Sequence, residues 1–302
     1  MAQVDTTVDT AEKDSTPCPT CGWSDLQRSR CRHTSQVKLV SGVSNRGLWH
    51  IGTDMALKED PYDKWKTFES ANIQFVRENT TIPTPPVVKE WVQSDNRHYL
   101  LTERPPGETL EKLYTKLSTA EKEDIADQVA ELIQQLRPLQ SPQIGGLGGT
   151  PLHCGILFRN NMEPTGPFSS DEELWDCIKI GLANVPEKVV ENLRARMPAC
   201  KPYTWTHGYL SQENIVVKDG KVTGILEWEF AGYFPVWWEF VAAGIGSPDD
   251  SEWLDIMRKK IRGGKPEELR FYRDLFYLSR YPDLDENGKE AFDRLMGSKD
   301  GN

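Results

Sequence analysis

Two apolar, β-branched runs, Ile215-Val-Val and Val222-Thr-Gly-Ile-Leu226, flank the pair Asp219-Gly220. An Asp-Gly pair between strand-like runs supplies the positive φ that a tight two-residue hairpin needs at both central positions. That turn sets which residues meet. With Lys218 opposite Lys221, Asn214 is expected opposite Ile225, and Glu227, two residues further on, is expected on the same face. A carboxamide oxygen and a carboxylate at the open end of the hairpin make a candidate Mg²⁺ site, because that ion takes oxygen ligands. An ordinary surface hairpin is the competing reading, since Asp-Gly hairpins are common. His207-Gly208-Tyr209 lies just upstream, in a loop expected beside that end.

The rest of the 302 residues is consistent with one large domain or two lobes around a cleft. Asp and Glu outnumber Lys and Arg, for a net charge of -10, which argues against a protein that coats nucleic acid. No apolar run approaches the roughly 20 residues of a membrane helix, so no membrane insertion is expected. The opening MAQVDTTVDTAEKD lacks the basic-then-apolar character of a secretory signal. Six cysteines are too few for a disulfide scaffold at this length. A reduced, cytoplasmic protein is the expectation.

Residues 1–36 read as a disordered tail with a cysteine-rich segment. Cys18, Cys21, Cys31 and His33 are of zinc-ligand type, but Cys31 and His33 are too closely spaced for a standard knuckle, and free thiols are the expected state. Residues 37–104 alternate short strand-like runs with one helix over 68–78, and Pro105-Pro106-Gly107 marks a boundary. Residues 105–302 are mostly helical. Ser118-Thr-Ala-Glu121 forms a capping box, and Ile125, Val129, Leu132, Ile133 and Leu136 follow at helical spacing.

Several stretches together resemble one family. His207-Gly208-Tyr209-Leu-Ser-Gln-Glu-Asn214 is similar to the His-Gly-Asp-x-x-x-x-Asn motif of aminoglycoside phosphotransferases, and Gly224-Ile-Leu-Glu227-Trp-Glu resembles their Ile-Asp-Trp-Glu metal motif. Ser44-Asn-Arg-Gly-Leu-Trp49, Met55-Ala-Leu-Lys58, Phe68-Glu69, Asn79-Thr-Thr-Ile-Pro83, Thr102-Glu-Arg-Pro-Pro-Gly-Glu-Thr-Leu110 and Gly232-Tyr-Phe-Pro-Val-Trp-Trp-Glu-Phe240 resemble, in order, other segments of its fungal members. The resemblance implies an α+β, two-lobed protein-kinase-like fold, with a small β-rich N-lobe and a large, mainly helical C-lobe. It implies that Lys58 grips nucleotide phosphates and pairs with Glu69, and that Thr102, Glu103 and Arg104 face adenine through their backbone. It also implies that Asn214 and Glu227 bind Mg²⁺ beside ATP.

Two positions depart from the family. The catalytic Asp is Tyr209, and a phenol with a reference pKa of about 10 is a poor base at pH 7. The metal-motif Asp is Glu227, one methylene longer. Glu213 and Glu229 are nearby acids that offer a weak substitute base. The aromatics Trp205, Trp228, Phe230, Tyr233, Phe234, Trp237 and Trp238 read mostly as core, with one or two available to line an apolar pocket. The leading expectation is therefore an enzyme of fungal natural-product biosynthesis that rearranges or cyclises an apolar small-molecule metabolite without phosphoryl transfer. A divergent ATP/Mg-dependent small-molecule phosphotransferase and a non-catalytic pseudokinase are the alternatives. Under the leading expectation, Tyr209→Asp gives little gain in ATP turnover.

Overall fold

The structure is a computed structural model that describes residues 36–43, 45–62, 69–158, 163–243, 245 and 250–297. The candidate zinc ligands Cys18, Cys21, Cys31 and His33 lie outside these residues, as does Phe68.

The first half is built on a five-stranded antiparallel sheet of order β1-β2-β3-β5-β4. Its strands are β1 Val37–Val43, β2 Arg46–Ile51, β3 Met55–Pro61, β4 Val87–Val92 and β5 Arg97–Glu103. Strand β3 is central, and Lys58 lies opposite Leu48 of β2 and Leu100 of β5. Helix α1, Glu69–Asn79, buries Glu69, Asn72, Ile73 and Val76, which are the i, i+3, i+4 and i+7 positions of one face. Ile73 and Val76 share an apolar core with Trp205, Trp228 and Trp253 of the second half. The helix is thus packed against the large lobe while its N-terminal Glu69 reaches the sheet.

His98 of β5 ties this lobe together. Its Nδ1 lies 2.8 Å from Asp60 Oδ1 of β3 and its Nε2 2.9 Å from Glu90 Oε1 of β4. The other oxygen of Glu90 accepts a short hydrogen bond from Ser70 of α1. A neutral imidazole donates through one nitrogen only, so the two carboxylates select the imidazolium. Burial works to lower the His98 pKa, but the hydrogen bonds and charges of Asp60 and Glu90 outweigh it and raise the pKa to about 9. A group whose pKa is raised on folding stabilises fully below its unfolded value of about 6.5 and loses that contribution as pH climbs through the folded value. His98→Ala is expected to cost about 3 kcal/mol near pH 6, because it leaves two carboxylates facing each other. Urea unfolding of both forms from pH 6 to 10 checks this, with the gap between them closing above pH 9.

The second half begins with β6, Glu108–Thr109, which pairs with the hairpin strand β7, Ile215–Lys218, rather than with the first sheet. Gly107 has φ +124°, and a Cβ there would stand 2.3 Å from Val217 O, so only glycine fits at this junction. Helix α2, Leu110–Tyr114, follows. Ser118 and Glu121 then cap α3, Thr119–Gln134, reciprocally: the Glu121 N–H donates to Ser118 Oγ and the Ser118 N–H to Glu121 Oε2. Among the described residues the remaining α-helices are α4 Asp171–Ile178, α5 Glu187–Arg194, α6 Trp238–Ala242, α7 Ser251–Lys260, α8 Pro266–Leu278 and α9 Glu286–Met296. The described residues therefore form an α+β fold, with a sheet N-lobe and a mainly helical C-lobe.

The hairpin turn forms with φ 50° at Asp219 and 73° at Gly220. Its register differs from the expected one. Lys221 faces Lys218, but a bulge at Thr223 puts Gly224 opposite Val216 and Ile225 opposite Ile215 instead of Asn214. Asn214 O accepts from the Leu226 N–H instead. The bulge has a tertiary cause. Thr223 Oγ1 donates to Pro106 O at 2.6 Å, and Gly224 lies so close to Pro105 that a Cβ would stand 2.5 Å from its ring. The lobe junction thus presses an extra residue into the strand.

Candidate active site

Lys58 is the centre of the site. Its Nζ lies 2.8 Å from Glu69 Oε2 and 2.6 Å from Glu227 Oε1. The strand lysine, the helix carboxylate and the carboxylate that follows the hairpin are thereby drawn to one point. Burial works against the ammonium, but Glu69, Glu227 and Glu229 together outweigh it and push its pKa above the ordinary lysine range. Burial raises the Glu69 pKa; Lys58 opposes that shift, while Glu227 and Glu229 add to it. The second oxygen of Glu69 accepts the Trp228 N–H at 3.1 Å, and Asn72 Nδ2 donates to Trp228 O at 2.8 Å. Helix α1 is thus bonded to the chain directly after Glu227. Arg46, at the start of β2, reaches Glu229 at 3.2 Å.

Glu227 does not continue strand β8, Lys221–Ile225. Its φ of 62° and ψ of 53° place it in the left-handed region, uncommon outside glycine and often a mark of a functional turn. The period-2 argument that put it on one face with Asn214 therefore fails. Its carboxylate is directed by the Lys58 contact instead.

The loop 207–214 is held by two buried groups. Glu239 of α6 accepts the His207 N–H at 2.7 Å with Oε2 and the Gly208 N–H at 3.3 Å with Oε1. Burial pushes its pKa up to about 7 against those two bonds. His207 Nε2 lies 2.7 Å from Leu226 O, and the Tyr209 N–H donates to Nδ1 at 3.1 Å. These bonds assign the neutral Nε2–H tautomer, and burial agrees by pulling the pKa down to about 4. Gly208 takes φ +80° between them.

Tyr209 is half-buried, with Phe230 edge-on at a ring separation of 6.3 Å. Burial, then Glu213, Asp250 and Glu227, raises its pKa, so the hydroxyl stays protonated at neutral pH. Glu213 is exposed, and burial, Glu111, Asp250 and Glu227 raise its pKa. Asn214 Nδ2 donates to Tyr209 O at 3.0 Å, which leaves Oδ1 with no hydrogen bond among the described residues. Asn214 Oδ1 and the Glu227 carboxylate are hard oxygen donors of the kind Mg²⁺ takes, so the donor set fits that ion.

The hinge N–H groups are bound within the N-lobe. Thr102 is paired on both sides, with Ala56 and Val87. The Glu103 N–H is bound to Pro86 O at 2.9 Å and the Arg104 N–H to Asp54 O at 2.7 Å. Trp205, Trp228, Phe234, Trp237 and Trp238 are fully buried core, while Phe230 and Tyr233 are partly exposed. Sequence reasoning missed Glu239 and Asn72. Glu239 had a signal: it is the sole charged residue in the run 231–243, and an acid in an apolar run is buried only for a reason. Asn72 had none.

Residues 36–272 match the phosphotransferase enzyme family. No curated protein matches the chain. Among solved structures, the chain is similar to aminoglycoside phosphotransferase APH(4)-Ia, with TM-score 0.55, 15% identity, and coverage of 90% of this chain and 94% of that one. A thermostable variant of that protein, in ternary complex with AMP-PNP and hygromycin B, gives TM-score 0.55 at 15% identity over 87% and 91% of the two chains. A streptomycin–ATP ternary complex of APH(2")-IIa gives TM-score 0.51 at 15% identity over 91% and 95%. At these identities the likeness is one of fold.

Proposed function

The chain belongs to the phosphotransferase enzyme family, and from that premise we propose that it binds a magnesium–nucleoside triphosphate in the cytoplasm and transfers phosphate, slowly, to a hydroxyl or amine of a small molecule. The double pairing of Lys58 with Glu69 and Glu227 carries this reading. A lysine oriented by Glu69 is ready to exchange Glu227 for phosphate oxygens. Asn214 and Glu227 would hold the Mg²⁺, which when bound supplies charge neutralisation at the phosphates. Arg46 would bring a second cation to the same end of the cleft. Glu239 and His207 fix the loop that presents Tyr209 to the acceptor. The Tyr209 hydroxyl donates a hydrogen bond to that acceptor but takes no proton from it; the acceptor's proton passes to a phosphate oxygen or to water, so transfer rests on positioning and charge stabilisation.

Thermal unfolding with and without Mg–ATP tests the proposal. At a nucleotide concentration of 100 Kd the gain is about 2.7 kcal/mol, an upward shift of several degrees. The shift is expected to need Mg²⁺ and to vanish in Lys58→Met. No shift under any of these conditions would remove the reading. Base selectivity is expected to be weak. With both hinge N–H groups bound to Pro86 O and Asp54 O, and Pro105 and Pro106 lacking one, residues 103–106 read the base through carbonyls alone. ATP and GTP are expected to compete within about tenfold of each other, the worth of one hydrogen bond.

A second reading is the repurposed enzyme of fungal natural-product biosynthesis. Tyr209, edge-on to Phe230, puts an aromatic surface where the family has its acid, which favours it. The five buried aromatics weigh against it, because they fill the core and leave little apolar wall. A thermal shift with an apolar metabolite and none with Mg–ATP is its signature. Mg–ATP binding without turnover would mark a pseudokinase.

A further inference from the structure

The groove between helices α8 and α9 has the chemistry of an anion site, and none of its lining residues belongs to the cleft. Arg270, Arg273, Asp274 and Tyr277 follow at i, i+3, i+4 and i+7 along one face of α8, and Asn287, Glu290 and Arg294 line it from α9. Its volume is about 320 Å³, near the small end of the roughly 300–1,000 Å³ of ligand pockets. Asp274 is 3% exposed at the floor, bonded through Oδ1 to Arg294 Nη2. That single bond leaves Asp274 Oδ2 and Arg294 Nε buried without partners. Among the described residues, the side chain of neither Arg270 nor Arg273 is in an ion pair or hydrogen bond. Arg196 also acts on Asp274. Three guanidiniums against Asp274 and Glu290 leave the groove lining net positive on a chain of net charge -10.

We infer that this groove binds the phosphate monoester of a small organic molecule, with Arg270 and Arg273 on the phosphate and Asp274 and Arg294 on its polar substituents. Guanidinium forks match phosphate oxygens two at a time, which favours a phosphate over a halide. The open carboxylate oxygen of Asp274 suits a hydroxyl donor, and Leu269 with the Tyr277 ring offers a wall for a short carbon chain.

Calorimetric titration of the full chain at constant ionic strength tests the assignment, with glycerol 3-phosphate and inorganic phosphate as probes. The expected result is saturable binding of the ester, tighter than inorganic phosphate, and at least tenfold weaker in Arg270→Ala/Arg273→Ala. Both side chains are exposed, so that variant should keep the wild-type melting temperature. Lys58→Met separates the groove from the cleft and is expected to bind the ester as the wild type does. The assignment is overturned by no saturable heat with the ester, by inorganic phosphate binding as tightly as the ester, by binding that survives the double arginine variant, or by binding lost in Lys58→Met.

Discussion

Tyr209→Asp is expected to raise Mg²⁺-dependent phosphoryl transfer from ATP, to water or to a surrogate alcohol, by about 10²- to 10⁴-fold, the usual worth of a positioned base. On the proposed function, the nucleotide-side residues are already in place: Lys58 is paired with Glu69 and Glu227, and Asn214 is oriented by its bond to Tyr209 O. That bond uses the backbone carbonyl, so the substitution leaves it intact. Position 209 is only half-buried, which lowers the cost of a carboxylate there. The neighbouring Glu213, Asp250 and Glu227, which raise the Tyr209 pKa, would raise that of an Asp as well, toward the working range of a base. Phosphate release from labelled ATP by both forms, side by side, measures the gain. This is the opposite of what the aromatic-rich sequence suggests, namely a rebuilt apolar cleft with little to gain. The large tryptophans proved to be core, which removes most of that cleft's wall. A flat response, with weakened binding of an apolar ligand, would restore the rebuilt-cleft reading.

Glu239→Gln is expected to destabilise the protein by about 3 kcal/mol and to disorder the loop it holds. Its two oxygens accept the His207 and Gly208 N–H groups. A glutamine of the same shape turns its NH₂ toward one of them, leaving a buried donor unpaired at a cost of roughly 1–3 kcal/mol and setting two donors against each other. Hydrogen exchange should show faster amides at 207 and 208, with nucleotide turnover falling although no cleft side chain has changed. The pH dependence has a definite sign. Burial raises the Glu239 pKa to about 7, so the native state holds the proton more tightly than the unfolded chain. Wild-type stability therefore falls as pH rises from about 4 toward 7. Glutamine does not titrate, so the wild-type advantage over the variant narrows over that interval. A gap that widens with pH would show that the amide bonds, not burial, dominate at this carboxylate.

Local chemistry was enough for much of the architecture. Asp219-Gly220 determined its own turn, because positive φ at two successive residues is a short-range steric requirement. Ser118 and Glu121 determined the start of α3 through a bond spanning three residues. The ordered motifs placed Lys58 on a strand and Glu69 at the head of the next helix, and from those two placements their meeting could be anticipated. What lay beyond the sequence depended on contacts between distant segments. The hairpin register slipped by one because Pro105 and Pro106, more than 100 residues upstream, press on Gly224 and Thr223. Glu227 left the strand geometry at a place where Lys58 and Glu69 arrive from elsewhere in the chain, Glu69 binding the N–H of the next residue, Trp228. Periodicity along one segment carries no information about such neighbours. The sequence by itself determined the turn, the capped start of α3 and the order of the Lys58 strand and the Glu69 helix, but not that Gly232–Pro235, expected in the helix after the metal motif, is a strand. Only the tertiary structure decided which way Glu227 faces, that the hinge N–H groups are already bound, and that Glu239 is the buried support of the loop, because each of these is set by a partner far away in sequence.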